Sequence, residues 1–165
     1  MDSVLAIDPG PVQSAWIIFR QNVIVSFGLH PNEHLRTDVC EQAQYAVRGV
    51  AIEMIASYGM PVGAEVFETC VWIGRFKEAL VRCRIDERDI HLVKRQEVKL
   101  HLCKSPKAND SSIRQALIDR FGPGKDVAIG NKAKPGPLYG VKADIWAALG
   151  VACTLTDRVG ETNEK

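Results

Sequence analysis

The chain has no apolar run near the roughly 18 residues that a membrane-spanning helix requires, so a helical membrane anchor is not expected from its 165 residues. No basic segment precedes an apolar stretch after Met1-Asp2-Ser3, so no signal peptide is expected either. No C-x-x-C pair occurs among Cys40, Cys70, Cys83, Cys103 and Cys153. The odd count argues against a disulfide framework, and the reading is of five free thiols in a reducing, cytoplasmic setting. His91, His101 and Cys103 lack the spacing of a zinc site, and His30 and His34 merely flank Pro31. "FGPGKD" at 121–126 lacks the spacing of a P-loop. There is no internal repeat and no low-complexity tract. Net charge is only +1, which excludes a uniformly basic surface.

Basic residues are nevertheless concentrated. Five Lys/Arg and one acid lie between Lys94 and Lys107, and four Lys and one acid between Lys125 and Lys142. Two such stretches on a near-neutral chain can hold a polyanion, or can simply be solvated surface.

At 46% hydrophobic and 25% charged, the chain has the composition of one globular domain. The domain is expected over residues 1–156, with 157–165 as a polar, frayed tail. Strands are read at 3–8, 13–19, 22–29, 50–56 and 89–94, the second and third joined as a hairpin. Helices are read at 33–48, 67–83, 95–103, 110–121 (capped by Asp110 or Ser111) and 144–156. Residues 122–141, rich in Gly, Pro and Lys, are read as a long loop. The order of elements predicts an α/β fold with a mixed sheet covered by helices.

Three acids stand in unusual places. Asp8 ends the apolar run "SVLAID", just before Pro9-Gly10. Glu53 lies inside "VAIEMIA", apolar on both sides. Asp144 opens the last helix. Asp8 could start a turn and Asp144 could cap a helix. Glu53 is harder to place, because a carboxylate in a central strand is costly to bury. If the first and fourth strands are neighbours, Asp8 and Glu53 approach each other, and a shared cation would reconcile them. Carboxylate oxygens suit Mg²⁺ or Mn²⁺.

Three segments, "LAIDPG" at 5–10, "VAIEMI" at 50–55 and "VKADIWAALGVA" at 141–152, carry a resemblance to the RNase H-like nuclease superfamily. Within it the chain resembles the RuvC-type Holliday junction resolvases. "VFETCVWIGRF" at 66–76, "VKLHLCKSPKANDSSIRQALIDRFG" at 98–122 and "KPGPLYG" at 134–140 are similar to phage and prophage members. The resemblance implies a five-stranded mixed sheet with the second strand antiparallel. It implies a homodimer that cuts opposed strands of a four-way junction, leaving 5′-phosphate and 3′-hydroxyl ends, in a bacterial or phage-infected cell.

It further implies two Mg²⁺ or Mn²⁺ ions, with Asp8 bridging them and Glu53 and Asp144 on either side. A further acid or His usual near the start of the last helix would fall at or beside Ala147, which offers no ligand; Asp110 is a distant substitute. Lys104 and Lys107 match basic residues near the family's active site, and Lys99, Lys132 and Lys134 would steer the DNA backbone. Tyr58 and Met60 lie where the family carries an apolar wedge that opens the junction; ordinary packing is the equal alternative. Trp72 and Phe76 are read as core or dimer interface. The competing functional reading is a branched-DNA-binding protein that cuts weakly or not at all. A kinase-type relative of the fold would need two such domains.

Overall fold

The computed structural model describes residues 3–46 and 49–163, with side chains described as far as residue 160. Residues 47 and 48, the end of the helix expected at 33–48, lie outside the described residues, as do Met1, Asp2 and the last two residues of the expected tail. Five strands form one sheet: β1 (Ser3–Asp8), β2 (Gln13–Arg20), β3 (Val23–Pro31), β4 (Gly49–Met54) and β5 (Ile90–Lys94). Their order across the sheet is β3-β2-β1-β4-β5. β2 runs antiparallel to both β1 and β3, whereas β1, β4 and β5 are parallel. The hairpin turn is Gln21-Asn22, both at positive φ (48° and 63°), which matches the twist of the strands it joins.

The central strands are buried on both faces, which is why they read as continuous apolar runs. Their alternate side chains feed two cores. Val4 and Ala6 of β1 and Ala51 of β4 face a layer built from α3 (Arg95–Cys103), α4 (Asp110–Phe121) and α6 (Ile145–Asn163). Leu5, Ile7, Val50 and Ile52 face the opposite layer, α1 (Asn32–Ala43) and α2 (Ala64–Arg82). Trp72 and Phe76 pack in this second core, 8% and 0% exposed.

Several boundaries differ from the sequence reading. The cap of α4 is Asn109, whose carboxamide oxygen accepts from the Ser112 N–H at 2.9 Å, rather than Asp110 or Ser111. The expected loop at 122–141 contains a short helix, α5 (Lys125–Ala128), and a bridge between Gly130 and Pro135. α6 continues through Asn163 where a frayed tail was expected. Asp157, the first residue of that expected tail, instead takes two hydrogen bonds from Arg120 and one contact from His101, and these hold the helix to α4 and α3.

Cys40 of α1 and Cys83, just after α2, form a disulfide with Cα atoms 5.5 Å apart. They are not the free thiols expected; an odd cysteine count excludes a complete framework but not one bridge between adjacent helices. Cys70, Cys103 and Cys153 are free. No helix among the described residues is long and apolar enough to cross a membrane.

Candidate active site

Strand register brings two acids together. β1 and β4 are parallel, with Ile7 opposite Ile52, so Asp8 and Glu53 follow side by side where the strands end. The period-two alternation assigns both to the face of Ala6 and Ala51, the face covered by α3 and α6. Asp144 immediately precedes α6 on that same face. Its carbonyl accepts from the Ala147 and Ala148 N–H groups at 3.0 and 3.1 Å, but its carboxylate makes no capping hydrogen bond. Ala143 before it is held at φ 46°, a left-handed conformation unusual for a residue with a side chain. Asp8, Glu53 and Asp144 line one hollow of about 310 Å³ with Pro9, Gly10, Pro11, Ile55 and Thr69. It opens at the carboxyl ends of parallel strands, where α/β sheets commonly bind ligands.

The turn after Asp8 is fixed by a buried polar network. The Ser14 hydroxyl donates to Asn32 Oδ1 at 2.6 Å and accepts from the Gly10 N–H at 3.2 Å. Asn32 Nδ2 donates to the Gly10 carbonyl at 2.8 Å, and its own N–H donates to the Val12 carbonyl at 2.9 Å. Ser14 and Asn32 are each 1% exposed. A side chain at position 10 would lie 2.5 Å from the Gln13 carbonyl oxygen, so only glycine fits. Sequence reasoning missed Ser14 and Asn32, which look like ordinary turn and helix-start residues; their distance of 18 residues along the chain gives no sign that they pair.

The electrostatics are those of a cluster short of positive charge. Burial, then the charges of Glu53 and Asp144, push the Asp8 carboxyl up to about 8. Burial also raises Glu53, opposed by Arg95 and more weakly by Lys99. Asp8 has no hydrogen-bond or ion-pair partner among the described residues. Arg95 is the cation that reaches the acids. Its Nη1 is 3.5 Å from Glu53 Oε2, and its Nη2 donates to Asp110 Oδ1 at 2.6 Å. Arg95 is the first residue of α3, directly after β5, whose Val93 and Lys94 pair with Glu53 and Met54. In the sequence it is simply one member of a basic stretch. Asp110, the distant substitute named above, is thereby tied to the cluster.

The other expected residues are distributed unevenly. Lys99 is half-buried and shares a hollow of about 300 Å³ with Tyr58, Arg95, Gln96 and Pro106 beside the acids. Tyr58 and Met60 are 62% and 75% exposed, so they are not packing residues. Lys104 caps α3 and donates its ammonium to the His101 carbonyl at 2.9 Å; it makes no contact with the acids. Lys107 is exposed after a turn in which its N–H donates to Ser105 Oγ. Lys132 and Lys134 are exposed near Asn131, whose side chain accepts from the Lys134 N–H. Ala147 is partly buried and carries no donor.

Three oxygen-donor carboxylates around a buried, unneutralised Asp8 fit a hard divalent cation in their chemistry. Among the described residues, however, no three His, Cys, Asp or Glu side chains stand close enough together to hold one ion as they are placed. A larger hollow, about 560 Å³, lies between α1 and α2 in the other layer. Its arginines are already paired, Arg36 and Arg75 with Glu33 and Arg82 with Glu78, and it contains none of the three acids.

The five-stranded mixed sheet in this order, flanked by helices, is an RNase H-like fold. No protein-family model and no curated protein matches the chain. Among solved structures it is similar to RuvC of Thermus thermophilus, with a TM-score of 0.67 and 16% identity over 96% of each chain. It is likewise similar to T. thermophilus RuvC in complex with a Holliday junction substrate, with a TM-score of 0.65 and 16% identity over 97% of each chain. The chain therefore has a RuvC-like fold.

Proposed function

We propose that the protein is a divalent-metal-dependent endonuclease that resolves four-way DNA junctions, or closely related branched DNA, by paired nicks. The observation that carries this reading is the juxtaposition of Asp8 and Glu53 by strand register, facing Asp144, within a RuvC-like fold. One of the solved structures similar to the chain was determined with a Holliday junction, which supports branched DNA as the substrate class.

Asp8, Glu53 and Asp144 would hold two Mg²⁺ or Mn²⁺ ions, which when bound supply a more acidic water and stabilise the departing 3′ oxygen. Asp8, which feels the charges of both Glu53 and Asp144, would be shared in holding the two ions. The Pro9-Gly10 turn, kept rigid by Ser14 and Asn32, leaves room for a phosphate to approach the carboxylates. Lys99, beside Glu53, can neutralise the scissile phosphate or its neighbour. Lys104 and Lys107 follow on the same segment and would contact flanking phosphates, with Lys132 and Lys134 steering the backbone in a salt-sensitive way. Exposed Tyr58 and Met60, on the loop after β4, would wedge between bases.

Paired nicks need two sites, and so a homodimer. The exposed apolar residues Phe67 and Val71 on α2, 62% and 55% exposed, offer a surface for a second copy. The segments similar to phage-type members suggest a phage or prophage origin, with the DNA met in the cytoplasm of a bacterial cell.

The test is incubation of the full chain with end-labelled four-way junctions and with linear duplex, in Mg²⁺, Mn²⁺ or EDTA. Symmetric, metal-dependent nicks in the junction with 5′-phosphate and 3′-hydroxyl ends are expected. Tight junction binding with no nick in any metal would overturn the enzyme reading in favour of a branched-DNA-binding protein.

A further inference from the structure

The acid cluster already contains a cation of its own. Arg95 spans two carboxylates unequally: its contact with Asp110 is short, at 2.6 Å, and its contact with Glu53 is long, at 3.5 Å. The guanidinium is thus anchored on Asp110 and leans over Glu53. The two anchors differ in freedom as well. Asp110, in the first turn of α4, is 83% exposed at its side chain, whereas Glu53 is 15% exposed. A divalent ion held between Asp8 and Glu53 would share Glu53 with a guanidinium, and like charges so close oppose each other in a partly buried site.

Arg95 pairs with Glu53 and Asp110 but forms no ion pair with Asp8. Among the described residues Asp8 is left without a partner while Glu53 has one.

We propose that Arg95 is a displaceable counter-ion: it neutralises Glu53 while no divalent ion is bound, and Asp110 draws it aside when one binds. The Arg95–Asp110 pair would thereby set the affinity of the site for metal, and Arg95 is a positioning residue acting through Glu53. The inference rests on reading Asp8, Glu53 and Asp144 as a divalent-ion site. It also gives Asp110 a role in place of the ligand missing near Ala147: not as a further metal ligand, but as the group that keeps a competing cation off the site.

Opposite effects of two neighbouring substitutions test it. Mn²⁺ binding to the full, DNA-free protein would be followed by electron paramagnetic resonance of the free ion. Removing the competitor with Arg95→Gln should tighten Mn²⁺ binding about tenfold, the effect of one nearby charge at a partly screened site. Removing the anchor with Asp110→Asn should leave the guanidinium on Glu53 and weaken binding about threefold. The double variant should match Arg95→Gln, because the anchor acts through Arg95. Arg95→Lys, which keeps the charge but cannot span both carboxylates, should fall between wild type and Arg95→Gln.

A merely structural ion pair between α3 and α4 would give two changes of the same sign, and that result overturns the proposal. So does an Arg95→Gln protein that melts cooperatively yet binds Mn²⁺ no better than wild type. If Arg95→Gln does not fold, the Asp110→Asn and Arg95→Lys arms decide: unchanged affinity in both overturns the proposal. Failure of every variant and of wild type to bind Mn²⁺, with no metal-dependent nicking, removes the metal reading and this inference together. Unchanged affinities with nicking intact remove this inference alone.

Discussion

Replacing Asp8 by Asn should make the metal-free protein more stable, by an amount that grows with pH. In the folded chain burial and the charges of Glu53 and Asp144 raise the Asp8 carboxyl from 3.8 to about 8. A carboxyl whose folded pKa is raised binds its proton more tightly in the native state than in the unfolded one. Its stabilising contribution is therefore full below pH 4 and lost as pH climbs toward 8. At 1.36 kcal/mol per pH unit over that window, the loss reaches about 4 kcal/mol at pH 7 and about 6 kcal/mol well above pH 8, as an upper bound. A domain's whole stability is about 5–15 kcal/mol, so the effect is large.

The Asn side chain has nearly the shape of the protonated acid and does not titrate. Thermal melts of both proteins in EDTA should coincide near pH 4 and separate steadily to pH 8, with the variant higher by up to about 10 °C. Mn²⁺ should then raise the melting temperature of wild type and leave the variant unmoved, since ligand binding to the native state stabilises it. A gap that does not change with pH, or a variant less stable than wild type at pH 8 in EDTA, would refute the claim that Asp8 is an uncompensated buried acid.

Asn32→Ala should cost about 2–4 kcal/mol in urea unfolding, because it strands the Ser14 hydroxyl and the Gly10 carbonyl in a buried site; it should also slow nicking by freeing the turn after Asp8. Asp157→Asn should show the reverse pH behaviour of Asp8→Asn. Burial pushes Asp157 up, but hydrogen bonds from Arg120 and His101 outweigh it and hold its carboxyl below the usual range. Its contribution is present above pH 4 and lost as pH falls, so the variant should be less stable by about 1–3 kcal/mol at pH 7 and match wild type in strong acid. Reduction of the Cys40–Cys83 bridge, whose partners are 43 residues apart, should cost about 2–4 kcal/mol in a melt with reductant.

Asp8 and Glu53 were legible in the sequence for a physical reason: a carboxylate inside or ending an apolar strand is costly, so its presence signals a partner. The sheet was legible because β1 and β4 are apolar on both faces, the pattern of strands covered on both sides. Arg95 was hidden because its meaning depends on a contact across 42 positions to Glu53, and in the sequence it is one of five basic residues in a row of fourteen. Asn32 and Ser14 were hidden because polar residues near turns are common and burial is a tertiary property. The tail was misread because Asp157 and Arg158 look solvated until Arg120, His101 and Glu97 are brought against them. The cap of α4 slipped by one residue because Asn109, Asp110 and Ser111 are all good caps.

The most direct measurement compares wild type with Asp8→Asn on one end-labelled four-way junction, in Mn²⁺ and in EDTA, with binding recorded beside cleavage. Symmetric nicks by wild type in Mn²⁺ alone are expected, together with binding but no cleavage by Asp8→Asn. Equal nicking by the two proteins, or nicking that survives EDTA, would contradict the assignment of Asp8 to a metal-dependent nuclease centre.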